Sequence, residues 1–176
     1  MKITLDDNTI YYTIVDKRKF KFERSKDIKK RTETLQSEYI LNCMLIYLGI
    51  EKDIIYRTKL GKPYFKNQNI FFNYSHSNNF IACAISKKNV GIDIEDSDRK
   101  LTDTMIKKCN LTQDDKLKEL VQREAFCKLT GEGIAIIFDS QNFKNIDKNS
   151  LVIKNNDYIC AICSELQSPI FEFIEI

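Results

Sequence analysis

The chain lacks most of the features that would settle its class at once. No stretch approaches the roughly 18 consecutive apolar residues of a membrane-spanning helix. No apolar leader of the secretory kind opens it. There is no Walker loop, no dinucleotide fingerprint and no nucleophile elbow, which sets aside the common nucleotide-binding and hydrolase machinery. The only histidine, His76, is adjacent to Ser75, so a serine-histidine triad is unattractive. Prolines number two and glycines five, and no Pro/Gly/Ser-rich linker or low-complexity segment divides the chain. The formal net charge of +3 is too small to argue for nucleic acid by itself. These absences predict a soluble, cytoplasmic protein that binds neither nucleic acid nor membrane.

What is present is a real core. Apolar residues make up 43% and aromatic residues 11% of 176 positions, enough to exclude disorder and to fit one domain or two small packed halves. The six cysteines are Cys43, Cys83, Cys109, Cys127, Cys160 and Cys163, mostly within apolar runs, which reads as buried reduced thiols. Cys160 and Cys163 form a C-x-x-C, but on a strand residues three apart face opposite sides and cannot share a metal. Basic residues crowd positions 17–31, where the choice lies between a solvated helix start and a patch for phosphate or an acidic partner.

The pattern of elements predicts an α+β fold. Residues 1–15 carry two short strand candidates. A helix runs from Asp27 or Lys29 to Leu48, with an apolar stripe of Leu35, Tyr39, Cys43, Met44, Tyr47 and Leu48, and Gly49 stops it. Gly61-Lys62-Pro63 is a turn with a fixed exit. Strands follow at Ile70–Tyr74 and Phe80–Ile85, broken by Ser75-His76-Ser77-Asn78-Asn79, and a third holds Asp93 and Glu95. A helix opened by Asp114 or Asp115 ends at Gly131-Glu132-Gly133, and three strands close the chain. Residues 78–86 echo residues 155–164, as a duplicated α+β unit would.

Two stretches are built to meet. In Val90-Gly91-Ile92-Asp93-Ile94-Glu95, the strand period puts both carboxylates on one face and both isoleucines on the other. Gly91 has no Cβ, so a ligand or another backbone can approach closely there. In Arg123-Glu124-Ala125-Phe126-Cys127-Lys128, the helical period makes Glu124 and Lys128 neighbours. Singly, such pairs decorate solvated faces. Together they form a hard-cation site beside a positive charge, suited to a phosphate or pyrophosphate. Ser75, His76 and Ser77 are a compact set of phosphate donors at a strand end, and Lys62 is a second candidate in its rigid turn.

The ordered set Gly61-Lys62-Pro63, Phe72-Asn73-Tyr74-Ser75-His76-Ser77, Val90-Gly91-Ile92-Asp93-Ile94-Glu95 and Arg123-Glu124-Ala125-Phe126-Cys127-Lys128 resembles the 4'-phosphopantetheinyl transferase superfamily, in its monomeric surfactin-synthetase-activator class. The resemblance implies a pseudo-dimer of two similar α+β halves, residues 1–89 and 90–176, with the active site between them. It implies transfer of the 4'-phosphopantetheine arm of coenzyme A to a serine of an apo acyl or peptidyl carrier protein, as a holo-[acyl-carrier-protein] synthase, by a monomer. It further implies that Asp93, Glu95 and Glu124 hold Mg2+, that Glu124 is the base, and that Lys128 neutralises the phosphate in flight. Lys62, Ser75, His76, Asp93, Lys128 and Arg31 would hold coenzyme A. The chain departs from the family pattern at Leu120 and Arg123, which replace a tryptophan and a lysine, and in a shorter interval from Asp93 to Glu124. Two rivals remain: a catalytically degenerate relative that binds coenzyme A or a carrier protein, and a metal-dependent nuclease.

Overall fold

The structure, a computed structural model, describes residues 5–19, 29–143 and 146–176. Nine strands and three α-helices are defined among them: β1 Thr9–Asp16, α1 Lys29–Tyr47, β2 Ile55–Arg57, β3 Pro63–Phe65, β4 Phe71–His76, β5 Phe80–Ser86, β6 Val90–Asp96, α2 Asp103–Lys108, α3 Lys116–Thr130, β7 Ser150–Lys154, β8 Tyr158–Ser164 and β9 Ile170–Phe173. The first sheet has the order β4-β5-β1-β9 and the second the order β6-β8-β7, with β2 and β3 as a separate ribbon.

Alternation along the central strands explains the layers. On β5, Ile81, Cys83 and Ile85 turn to α1, whereas Phe80, Ala82 and Ala84 meet the second sheet. On β8, Cys160 and Ile162 face the first sheet, whereas Ile159, Ala161 and Cys163 face α3. The result is helix, sheet, sheet, helix, with a shared apolar layer of Ile10, Val90, Ile92 and Ile94 in the middle. Cys160 and Cys163 lie in different layers, and all six cysteines are free.

The two sheets repeat one topology. In the first, a strand (β1) is followed by a helix and a hairpin (β4–β5) whose second strand pairs antiparallel with β1. In the second, β6 is followed by helices and a hairpin (β7–β8) whose second strand pairs antiparallel with β6. The echoing segments 78–86 and 155–164 are those second hairpin strands, each at the centre of its three. One connection was not foreseen: β9 returns to the first sheet and pairs parallel with β1, Thr9 opposite Ile170 and Tyr12 opposite Phe173.

Several expectations need correction. Of the two strand candidates in residues 1–15, β1 is one, and residues 1–4 lie outside the described residues. The buried stripe of α1 is Ser37, Ile40, Leu41, Met44, Leu45 and Leu48, while Leu35, Tyr39 and Tyr47 are exposed. Ser75 and His76 do not break β4 but continue it, paired with Ala82 and Ile81. Gly49 does stop α1, at φ 66°. Of the basic segment, residues 20–28 fall outside the described residues. No helix among the described residues is long and apolar enough to cross a membrane.

Candidate functional site

The close approach of α3 to β6 sets the geometry. A Cβ on Gly91 would lie 2.1 Å from the carbonyl oxygen of Ala125 and 2.4 Å from the nitrogen of Leu129, so only glycine lets the helix backbone rest on the strand. Asp115 caps the start of α3 by accepting from Lys118, and Gly131, left-handed at φ 72°, ends it. The helix therefore lies along β6 with Glu124 and Lys128 over the face that carries Asp93 and Glu95.

One carboxylate oxygen from each of Asp93, Glu95 and Glu124 can be chosen so that all lie within 4.8 Å of one another. Asp93 is 3% exposed. Its Oδ1 accepts from Ser75 Oγ at 2.8 Å and from Lys128 Nζ at 2.7 Å, and Lys128 also donates to Ser75 Oγ at 2.7 Å. Its Oδ2 is buried and receives no donor from lysine, serine or backbone. Glu124 shares a hydrogen bond with Asp93. Burial, the Asp93 charge and that shared hydrogen bond raise the Glu124 carboxyl to about 8. Burial, partly offset by Arg99, raises Glu95 to about 7. Three acids crowded together around a buried oxygen without a donor are an arrangement that a divalent cation would relieve.

These groups line a cleft of about 500 Å³ that also reaches Lys62, Ser75 and His76. Glu124, Lys128, Asp93, Glu95, Ser75, His76 and Lys62 thus share one cavity although they come from four separate segments. Their engagement differs. Lys62 Nζ donates to Leu129 O at 2.6 Å and to Asn89 Oδ1, bracing the end of α3, and burial lowers its pKa to about 8. His76 Nε2 lies 3.8 Å from Glu33 Oε2, and burial holds its pKa below the usual value. Arg31 is on α1, but its side chain lies outside the described residues.

Arg123 points elsewhere. Its guanidinium is buried, donating to the carbonyls of Cys109 and Asn110 and to Glu119, and it lies over the ring of Phe143. It ties α3 to the chain on either side, so its charge is not offered to the cleft. Leu120, beside it, is fully buried with Cys109, Leu111 and Ile137.

Sequence reasoning missed two arginines. Arg57, on the β2–β3 ribbon, lines the cleft, and its Nη2 donates to Tyr74 Oη at 2.6 Å. Arg99, just after β6, forms an ion pair with Glu95. Neither sits in a periodic pattern. The only available signal for Arg99 was its place four residues after a carboxylate already singled out.

No family model matches the chain. It is similar to the curated protein 4'-phosphopantetheinyl transferase gsp of Aneurinibacillus migulanus, at 28% identity over 177 residues, covering 84% of this chain and 74% of that protein. This relative bears out the resemblance carried by the four motifs.

Proposed function

We propose that the chain is a 4'-phosphopantetheinyl transferase that moves the phosphopantetheine arm of coenzyme A to a serine of an apo acyl or peptidyl carrier protein, as a cytoplasmic monomer. The observation that carries this is the meeting of Asp93, Glu95 and Glu124 with Lys128 in one cleft. The curated relative supplies the reaction class. The repeated strand-helix-hairpin topology supports a pseudo-dimer of halves 1–89 and 90–176, and the cleft gathers residues from both.

Asp93, Glu95 and Glu124 fit Mg2+, because they offer hard oxygen ligands around an oxygen that has no fixed donor. When bound, the ion would neutralise charge on the diphosphate of coenzyme A. The side chains do the rest. Glu124 accepts the proton of the carrier serine. Burial keeps this carboxyl more basic than an ordinary one, so it is matched to that task near neutral pH. The serine oxygen forms a bond to the phosphorus that carries the pantetheine arm. The bond from that phosphorus to the bridging oxygen breaks, and adenosine 3',5'-bisphosphate leaves with the electron pair. Lys128, held by Asp93 and Ser75, is placed to stabilise the charge that builds on the phosphoryl oxygens. Ser75, His76, Lys62 and Arg31 would seat the phosphates of the coenzyme.

The test is incubation of the protein with coenzyme A, Mg2+ and a panel of apo carrier proteins, read by intact mass. A gain of the phosphopantetheine arm on any carrier, lost with chelator, is the expected result. Tight coenzyme A binding with no transfer to any carrier would mark a degenerate binding relative instead.

A further inference from the structure

The acid cluster has two sides. The large cleft opens on one. On the other, a second cavity of about 340 Å³ is lined by Glu33, Asp96, Asp98 and Arg99, and Glu95 and His76 form the wall between the two. Arg99 reaches Glu95 from the second cavity and does not line the cleft. Its backbone is fixed by a turn, N–H to the Asp96 carbonyl at 3.0 Å. Asp96 is itself anchored, accepting from Ser77 Oγ, the Asn78 backbone and Asn79 Nδ2. The Arg99 side chain is 29% exposed and that of Glu95 20%, so the pair is partly open to solvent at both ends.

The charges define what this pair does. Asp93 and Lys128 neutralise each other inside the cleft. On the cleft side the lysine charge reaches Glu95 and Glu124 as well, but its hydrogen bonds go to Asp93 and Ser75. Arg99 adds a second positive charge, paired directly with Glu95, from behind. A divalent ion entering from the cleft would claim the same carboxylate, and Arg99 would be released toward the acids of the second cavity.

We propose that Arg99 is a positioning residue that acts through Glu95: it holds this carboxylate in place while the acid cluster is empty and competes with a divalent cation for it. The inference rests on the reading of Asp93, Glu95 and Glu124 as the cation site. It makes Arg99 a setting for cation affinity rather than a ligand of substrate.

The experiment is a Mn2+ titration of the full chain without coenzyme A, followed by calorimetry and by the thermal midpoint. For Arg99→Gln, loss of a competitor tightens the apparent Kd for Mn2+ by about two- to fivefold, the upper part of the range for one partly exposed ion pair. The same variant melts lower than the parent in chelator, and the gap closes on adding Mn2+. Arg99→Lys restores the parent affinity. An unchanged or weaker Kd in Arg99→Gln, with the parent binding Mn2+ normally, overturns the role of Arg99 and leaves the cation site standing. No Mn2+ binding by the parent overturns both.

Discussion

The two sheets pose the same structural problem and solve it differently. β1 and β6 hold equivalent places, each the first strand of its unit and each feeding Ile10 or Val90, Ile92 and Ile94 into the shared middle layer. Their other faces diverge. Toward α1, β1 presents Tyr11, Thr13 and Val15, and the helix answers with Ile40, Leu41, Met44, Leu45 and Leu48. Toward α3, β6 presents Gly91, Asp93 and Glu95, and the helix answers with Ala125, Glu124 and Lys128. Bulky side chains hold one helix off its sheet, and glycine lets the other lie against it. One unit is committed to apolar burial. The other gives up apolar contact at the strand edge to bring acids and a lysine within hydrogen-bonding range. The lesson is that one strand topology, used twice, packs closely where glycine replaces bulk and there brings charged groups together.

Substitutions sharpen that contrast. Gly91→Ala should have the largest effect, since the new methyl overlaps backbone rather than a flexible side chain. A loss of about 3 kcal/mol or more is expected, with transfer abolished as α3 is displaced. Denaturant unfolding and the transfer assay check it, and an unchanged midpoint would break the comparison at its root.

Glu124→Gln comes next. It keeps the shape of the cleft, so circular dichroism and melting should remain those of a folded chain. Transfer should fall by roughly 10²–10⁴, the range for loss of a positioned base. Full activity in this variant would remove Glu124 from its role.

A smaller effect is expected from pH. Glu95 and Glu124 titrate at about 7 and about 8 in the folded chain, against an ordinary value of 4.5. Folding therefore favours their protonated forms. Their contribution is full below 4.5 and is lost as pH rises through 7 and 8. In chelator, the melting midpoint should fall across that window, and Glu95→Gln with Glu124→Gln should flatten the fall. His76, held low by burial, pulls in the opposite direction.

The smallest effect lies in the apolar unit. Thr13 is 1% exposed and its hydroxyl has no partner among the described residues. Thr13→Val should raise stability by up to ~1 kcal/mol and leave transfer unchanged. Loss of activity there would show that the face of β1 beneath α1 is more than packing.

Strand β6 and its facing helix α3 were readable because their periods differ and each places its charges on one side: Asp93 with Glu95 at two, Glu124 with Lys128 at four. Gly91 was readable as a point of close approach, although sequence alone did not tell ligand from backbone. The α1 stripe was misread because Leu35, Tyr39 and Tyr47 look apolar, while the buried face includes Ser37. The break at Ser75-His76 was misread because polar residues at the end of a run resemble a turn. They are polar because that end of β4 borders the cleft, with Ser75 bonded to Asp93. Arg123 was read only as the replacement for a family lysine; its structural part was not foreseen, although four residues back it has Glu119, and the pair is buried together. Parallel pairing of β9 with β1 leaves no local trace, since its partner lies at the other end of the chain.

That last pairing ties together two segments far apart in the sequence. A strand made late is borrowed by a sheet begun early, with Ile174 donating to the Tyr12 carbonyl at 2.8 Å beyond the ladder. A ribosome-bound chain still short of residue 170 would carry an open β1 margin, a ready template for a neighbouring nascent copy. Insertions between Ser168 and Ile170 would load this clasp directly, whereas insertions at the Lys87-Lys88-Asn89 bend would leave it fastened.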